Sequence, residues 1–166
     1  MRLLGSGRTD AGLKALAQVF HFDAAWPHGA DKLRRALQAT LPPSVQVSRV
    51  QRARPDFHAR FSAKGKVYRY HVCLGQADPF HAAYRWSVDW PLDLAAMERA
   101  AAELRGRRDF WAFSGENDRT YETTVRDLRR LEIRRRGREL TLTFEADGFL
   151  YKMVRSLTLS LIHISQ

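Results

Sequence analysis

Apolar and polar residues alternate along the chain in patterns that predict individual strands and helices. Residues 66–74 alternate between two sets of side chains, which predicts a strand with two usable faces, and Tyr68 and Tyr70 share one of them. Residues 93–104 repeat apolar positions at the helical spacing and stop before Gly106, which predicts a helix. The chain therefore contains both kinds of regular structure.

The C-terminal part of the sequence predicts a hairpin followed by an apolar element. Residues 123–136 and 138–146 are typical of two strands joined at Gly137, and this hairpin carries seven arginines between positions 126 and 138. Residues 149–164 close the chain as an apolar segment, for which a helix and a strand both remain open.

The N-terminal part predicts shorter elements. A turn rich in glycine at residues 5–12 precedes a short apolar strand at 17–22. Residues 31–39 begin with an aspartate, repeat apolar positions at helical spacing and end before two prolines, which predicts a helix. The valines between positions 45 and 50 suggest a further strand. Strand–helix–strand units on either side of about residue 88 indicate an α+β fold with two halves.

The composition supports a packed domain and a polyanionic partner. Of 166 residues, 45% are hydrophobic, which excludes long disorder, collagen and a coiled coil. The net charge is +10, and 23 of the 28 basic residues are arginine, whose planar fork grips phosphate and stacks on bases. This favours nucleic acid over a membrane surface, although a generally basic surface stays open as the alternative from charge alone.

Cysteine and histidine usage argues against disulfides and metals. Cys73 is the only cysteine, which excludes an internal disulfide framework and a multiple-cysteine zinc site. The histidines show no ligand-like spacing, so we expect no metal. Because the sequence shows neither a signal-peptide pattern nor an apolar run long enough to cross a bilayer, we expect a cytoplasmic protein.

The segment from Gly5 to Gly12 is the most informative part of the sequence. Three glycines allow unusual backbone angles around Arg8 and Asp10, so the loop can present a carboxylate to a ligand. It lacks the Gly-Lys-Ser/Thr ending of a nucleoside triphosphate site. Taken alone, a plain aspartate turn remains the simpler interpretation.

The sequence Gly7-Arg8-Thr9-Asp10-Ala11-Gly12, followed by Gln18-Val19, resembles the catalytic-loop signature of the TruA-type tRNA pseudouridine synthases. Further blocks resemble that family in their order along residues 5–155. These blocks are Asp56-Phe57-His58-Ala59-Arg60-Phe61-Ser62-Ala63, Tyr68-Arg69-Tyr70, Asp109-Phe110 with Phe113, and Phe149-Leu150 with Met153-Val154-Arg155.

The resemblance implies a pseudouridine synthase fold built from two ferredoxin-like halves with mainly antiparallel sheets. Residues 1–88 would form an incomplete first half with the catalytic aspartate loop. Residues 89–166 would form a truncated second half with the arginine-rich hairpin and the Met-Val-Arg helix. The implied enzyme is an isomerase that converts uridine to pseudouridine at positions 38 to 40 of the tRNA anticodon arm, without cofactor or metal, as a homodimer.

The resemblance also implies roles for individual residues. Asp10 matches the catalytic nucleophile, and Tyr68 matches the tyrosine that would stack on uracil and help remove the C5 proton. Arg155 is expected to pair with the catalytic carboxylate, and its apolar neighbours suggest burial, which would require a partner. Arg8 would hold the flipped nucleotide. The further substrate-binding candidates are Thr9, Arg60, Lys66 and Tyr70, although packing in the core remains open for Tyr70.

Two other functions remain in view. The first is a catalytically inactive RNA-binding fragment of such an enzyme, which would bind tRNA in a salt-sensitive way without forming product. The second, a basic DNA-binding module, is disfavoured because no recognition-helix, zinc or basic-zipper pattern is present.

The sequence departs from the family pattern at Leu13-Lys14, where Val-His is usual, and at Ser156–Leu159. The family's opening strand, Tyr-Asp-Gly turn and helix, and its final segment, have no counterpart in the 166 residues.

A sheet that lacks its opening strand would expose an edge, so we expect the chain to be marginally stable. A broad thermal unfolding transition and concentration-dependent aggregation are the expected results. A sharp two-state melt of a soluble monomer would contradict this expectation.

Overall fold

The computed structural model describes residues 2–7, 9, 12–115 and 121–165. The described residues group into two compact units. The first contains residues 2–7, 9 and 14–63, and the second contains residues 12–13, 64–115 and 121–165. No helix within the described ranges is long and apolar enough to cross a bilayer.

The first unit contains a small antiparallel pair and one helix. Strand β1 (Leu4–Gly5) pairs with β2 (Phe20–His21), so the strand predicted at 17–22 is confirmed only over its central residues. Helix α1 (Ala30–Thr40) confirms the helical pattern and extends it by a residue at each end.

The strand suggested by the valines between positions 45 and 50 is wrong. This segment is instead held against α1 by one side chain, because the Gln38 amide donates to the Val45 carbonyl at 3.0 Å and accepts from the Val47 backbone N–H at 2.8 Å. Of the three valines only Val47 is buried, and the backbone hydrogen bonds of Val45 and Val47 go to a glutamine side chain and not to a neighbouring strand.

The second unit is a five-stranded sheet in the order β4-β3-β7-β6-β5. The β3–β4 pair is parallel, whereas the other neighbours are antiparallel. The α+β class with mainly antiparallel sheets is thus confirmed. The strands are β3 (Lys66–Leu74), β4 (Trp86–Val88), β5 (Gly106–Asp109), β6 (Val125–Arg136) and β7 (Glu139–Ala146).

The hairpin of β6 and β7 turns at the predicted glycine. Gly137 has a φ of 60°, a left-handed conformation that glycine adopts without steric cost. A bulge between Leu128 and Arg130 shifts the β6 register against β7. Because a bulge lets one strand carry an extra residue, Leu128 and Leu131 are both buried despite the odd spacing between them.

Two helices complete the second unit. Helix α2 (Leu94–Leu104) is capped by the Asp93 carboxylate, which accepts from the Ala96 backbone N–H at 3.0 Å. Helix α3 (Met153–Ile164) resolves the final apolar segment as helical. α2 packs on β6 and on α3.

The core of the second unit lies between the helices and one face of the sheet. Alternate residues of β7 are fully buried, and they oppose the β3 face that carries Tyr68 and Tyr70. The α2 contribution is Met97 and Ala101, as the helical spacing predicts. Fully buried side chains on the sheet and α3 include Val72, Leu140, Leu142, Phe144, Met153, Leu157 and Leu161.

The strand β3 belongs to the second compact unit, although the sequence analysis assigned it to the 1–88 half. The compact units are defined by contacts between residues, whereas the ferredoxin-like halves are defined by a repeated order of strands and helices. The division at about residue 88 therefore remains a prediction.

The sheet face opposite the helices carries a network of charges. The Glu132 carboxylate accepts from Arg130 at 2.8 Å and lies 3.3 Å from an Arg134 nitrogen. The hydrogen bond from Arg130 holds the pKa of Glu132 below its ordinary value, and the positive charges of Arg130 and Arg134 add to this effect. The Glu132 carboxylate therefore forms ion pairs with two arginines of the hairpin.

We predict that Glu132→Gln lowers the free energy of unfolding near neutral pH. Because the folded-state pKa of Glu132 is depressed, its charge stabilises the fold above the unfolded-state pKa, and this contribution is lost as the pH falls through the folded-state pKa. The stability gap between wild type and variant should close on acidification. Urea unfolding followed by circular dichroism across the acidic range measures it. Glu103→Gln, an exposed helix position, is the control and should show no such pH-dependent gap.

Candidate active site

The base of the glycine-rich loop is closed by hydrogen bonds within the first unit. The Ser6 backbone N–H donates to the Val19 carbonyl at 2.8 Å, next to the β1–β2 pair. The Gln18 amide donates to the Gly7 carbonyl at 2.5 Å and accepts from the Ser6 hydroxyl at 3.3 Å. These hydrogen bonds hold the two ends of the loop together, and the Gln18 side chain links them.

The centre of the loop carries the predicted catalytic residues. Arg8 and Asp10 lie outside the described residues, and Thr9 is exposed. Gly12 has a φ of 79°, in the left-handed region where a side chain is strained. Gly12 therefore has the unusual backbone angle that the glycines of this loop predict.

The Asp56–Ala63 block also lies in the first unit. The Arg60 side chain is exposed, and its guanidinium carbon lies 5.8 Å from the centroid of the Phe61 ring. The backbone around Arg60 is shaped by two imidazoles, His58 and His21, whose Nδ1 atoms lie within hydrogen-bonding distance of backbone nitrogens. Nothing in the spacing of the histidines along the sequence indicates this use of His21, and it was not predicted.

Tyr68 and Tyr70 project from the same face of β3, as predicted. Tyr68 is half-buried and meets Phe149 edge-to-face, with ring centroids 5.1 Å apart and an interplanar angle of 85°. Tyr70 meets Trp86 in a similar way at 6.4 Å. Both rings pack against the core of the second unit. Tyr70 thus has the core environment that the sequence analysis left open, and its substrate-binding role remains a prediction.

Arg155 lies in the first turn of α3 and is exposed. The expectation that its apolar neighbours bury it is wrong, because the helical period turns Met153 and Leu157 to the core and Arg155 to the opposite side. Lys152, just before the helix, has a φ of 59°, which is rare for a residue with a side chain. Gly115 packs closely on the Lys152 side chain.

The predicted site residues fall into two groups. The described residues Gly5 to Gly7 and Thr9 of the glycine-rich loop belong to the first unit with Arg60, whereas Gly12 at the end of the loop belongs to the second. Lys66, Tyr68, Tyr70 and Arg155 belong to the second. Lys66, Tyr68 and Arg155 are each engaged in interactions.

Most arginines of the β6–β7 hairpin have local structural partners. Arg129 donates to the Lys64 carbonyl at 3.1 Å, and Arg135 donates to the Gly137 carbonyl at 2.8 Å. Arg126 donates to two nearby carbonyls, of Thr123 and Val125. Charge runs in a sequence therefore overstate the number of arginines that are available for a ligand.

Arg136 and Arg138 differ from these residues. Within the described part of the chain, neither guanidinium group has a hydrogen bond or ion pair, and both residues are exposed at the hairpin turn. Their charges face solvent beside Gly137.

Comparison with known proteins agrees with the motif analysis. A family model described as tRNA pseudouridine synthase matches residues 100–166. The proteins named tRNA pseudouridine synthase A of Halalkalibacterium halodurans and Brevibacillus brevis are each 40% identical to the chain, over 99% and 100% of its length. The protein of the same name of Geobacillus sp. (strain WCH70) is 39% identical over the whole chain.

The chain spans 62% of the Halalkalibacterium protein, 67% of the Geobacillus protein and 68% of the Brevibacillus protein. These similarities cover the glycine-rich loop, the β3 tyrosines and the Met-Val-Arg helix. Because the identity extends over the whole described fold and the relatives share one name, the chain belongs to the tRNA pseudouridine synthase family.

Proposed function

We propose that this chain carries the catalytic machinery of a tRNA pseudouridine synthase that isomerises uridines at positions 38 to 40 of the anticodon arm. The observation that carries the proposal is the complete Gly7-Arg8-Thr9-Asp10-Ala11-Gly12 motif in a chain about 40% identical to proteins named tRNA pseudouridine synthase A. The closed loop base and the positive φ of Gly12 support it, because both shape a loop that presents its central residues.

The chemistry needs a group that helps to break a C–N glycosidic bond. Uracil N1 leaves the ribose C1′, the base turns, and C5 forms a C–C bond to C1′. The C5 proton is then lost, and N1 ends with a proton. The reaction is an isomerisation, so the atoms balance without a co-reactant. Asp10 is the proposed nucleophile, since its carboxylate can stabilise the sugar or the base during the exchange.

Tyr68 is the proposed stacking partner and the group that assists removal of the C5 proton. Its environment supports this role, because the ring is half-buried and is braced by the edge-to-face contact with Phe149. A braced ring offers a fixed platform for a planar base. Tyr70, braced by Trp86 on the same face, is proposed to line the base-binding region.

The remaining predicted residues are proposed to hold the substrate and the nucleophile. Arg155 is exposed on α3, which suits a guanidinium that pairs with the Asp10 carboxylate or with RNA. Arg8 and Thr9 directly precede Asp10 in the sequence and are assigned to the flipped nucleotide. Arg60 and Lys66 are assigned to the nearby backbone phosphates.

The proposed partner is tRNA, and the proposed assembly is a homodimer that works in the cytoplasm without a cofactor. The net charge of +10 supports a polyanionic partner. Arg136 and Arg138 at the hairpin turn extend the proposed contact surface to the phosphates.

We predict that Asp10→Asn abolishes pseudouridine formation, with a loss of at least about 1,000-fold in kcat/KM, because the amide cannot serve as the nucleophile. Tritium release from C5-labelled, unmodified tRNA measures product, and mass spectrometry confirms it. Asp89→Asn, an exposed position outside the motif, is the matched control and should retain activity.

Circular dichroism should show that the Asp10→Asn protein keeps the wild-type fold. Product at the wild-type rate from that protein would rule out Asp10 as the nucleophile. If the wild type binds tRNA in a salt-sensitive way but forms no product, the chain is a binding fragment, the alternative raised by the sequence.

We predict that the double variant Arg136→Gln/Arg138→Gln weakens tRNA binding and reduces the salt dependence of the binding constant. Each lost phosphate contact should lower the slope of log K against log salt by about 1. Filter binding across a salt series measures this slope. Arg99→Gln on the exposed side of α2 is the control for loss of charge, and an equal change in slope there would contradict a specific role for the hairpin turn.

A further inference from the structure

His21 forms a hydrogen bond far along the chain from its own strand. The Ala59 backbone N–H donates to the His21 Nδ1 at 3.1 Å, across 38 residues of sequence. Ala59 is only 3% exposed, so this backbone group has little access to water as an alternative partner. A ring nitrogen accepts an N–H only through its lone pair. The His21 Nδ1 must therefore be unprotonated in this arrangement.

His58 acts in the same way within the adjacent turn. Its Nδ1 lies 3.2 Å from the Arg60 backbone nitrogen and 3.3 Å from that of Phe61, so both N–H groups point to one lone pair. The Ser62 hydroxyl accepts from the His58 backbone N–H at 3.0 Å, and the Ser62 N–H donates to the His58 carbonyl at 2.8 Å. The turn that contains Arg60 is therefore held by hydrogen bonds from its backbone N–H groups to the His58 imidazole.

The two imidazoles are in contact. Their ring centroids are 4.9 Å apart at an angle of 63°, and Phe57 meets the His21 ring at 5.9 Å. The other charged residues of these segments are Asp23, Arg60 and the ion pair of Arg54 with Asp56, in which both side chains are largely exposed. Protonation would remove both acceptors and would place two positive charges side by side.

His21 also connects this turn to the catalytic loop. It is the last residue of β2, and β2 begins directly after Val19, whose carbonyl accepts from Ser6 at the loop base. Gln18 fixes the same base through Gly7. Strand β2 therefore directly follows the hydrogen bond that closes the loop, and its last residue, His21, accepts the hydrogen bond that holds the Arg60 turn.

We infer that His21 and His58 are positioning residues of the proposed synthase, which hold the Arg60 turn through neutral imidazoles protonated at Nε2. They set the place of Arg60 relative to the loop that bears Asp10 in the sequence, and RNA contact by Arg60 depends on them. The inference rests on the proposed function for its effect on catalysis, but the hydrogen bonds and the tautomer can be tested without it.

The test compares alanine with asparagine at both positions. Asparagine places its Oδ1 near the site of Nδ1 and accepts an N–H at any pH, whereas alanine removes the acceptor. We expect His21→Ala and His58→Ala each to lower kcat/KM on tRNA by about 10- to 100-fold, as expected for a misplaced substrate contact. The asparagine variants should recover most of this loss. His28→Asn, whose ring contacts Trp26, is the control and should leave activity unchanged.

A double-variant comparison separates positioning from simple packing. In an Arg60→Ala background, His58→Ala should cause little further loss, because both changes remove the same contact. Asparagine variants as defective as the alanine variants, or additive losses with Arg60→Ala, would overturn the inference.

Nitrogen-15 NMR of the imidazoles and amide exchange provide a readout that does not depend on activity. We expect His21 and His58 as Nε2–H tautomers, and the Ala59 and Arg60 amides to be protected from exchange, with the protection reduced in the alanine variants. An Nδ1–H tautomer at either histidine would overturn the inference even in an active enzyme. If NMR agrees but the chain forms no pseudouridine, the positioning contacts stand and the proposed activity fails.

Discussion

The structure of the second unit depends on the register between β7 and its two neighbours. β7 is the central strand, and its alternate residues, from Leu140 to Ala146, are fully buried. Its pairing sets Tyr68 opposite Phe144 and Tyr70 opposite Leu142, so both tyrosines share the core face. A slip by one residue would move these rings to the opposite face and bring β3 charges into the core. The proposed base-stacking ring is therefore placed by backbone pairing before any substrate contact arises.

Much of this unit could be predicted because its signals are periodic. The strand 66–74, the helix beginning near 94 and the hairpin at Gly137 all follow from spacing, and each has enough apolar residues to fix one face. The strand predicted from the valines of residues 45–50 is absent because the Gln38 side chain of α1 takes the backbone hydrogen bonds of Val45 and Val47. The contact of His21 with Ala59 was also missed, since a hydrogen bond across 38 residues has no period.

The arginine content of the sequence suggests a polyanionic partner but overstates the number of arginines that are available to bind one. The net charge of +10 indicated a polyanionic partner, and family membership agrees with that direction. In the hairpin, however, Arg129, Arg130 and Arg135 bind carbonyls or a carboxylate of their own unit. Because a guanidinium group has five donors, it can serve the fold as readily as a phosphate. The contacts of each arginine, and not the number of arginines in the sequence, distinguish a role in the fold from a role in binding phosphate.

The Gln18 side chain holds the base of the glycine-rich loop through a main-chain atom. Because it bonds to a main-chain carbonyl at Gly7, the width of the loop at its base does not depend on which side chains fill residues 13–17. Leu16 in that stretch is 91% exposed. A substitution at residues 13–17 would therefore change the side chains that the loop presents without removing the hydrogen bond that closes its base.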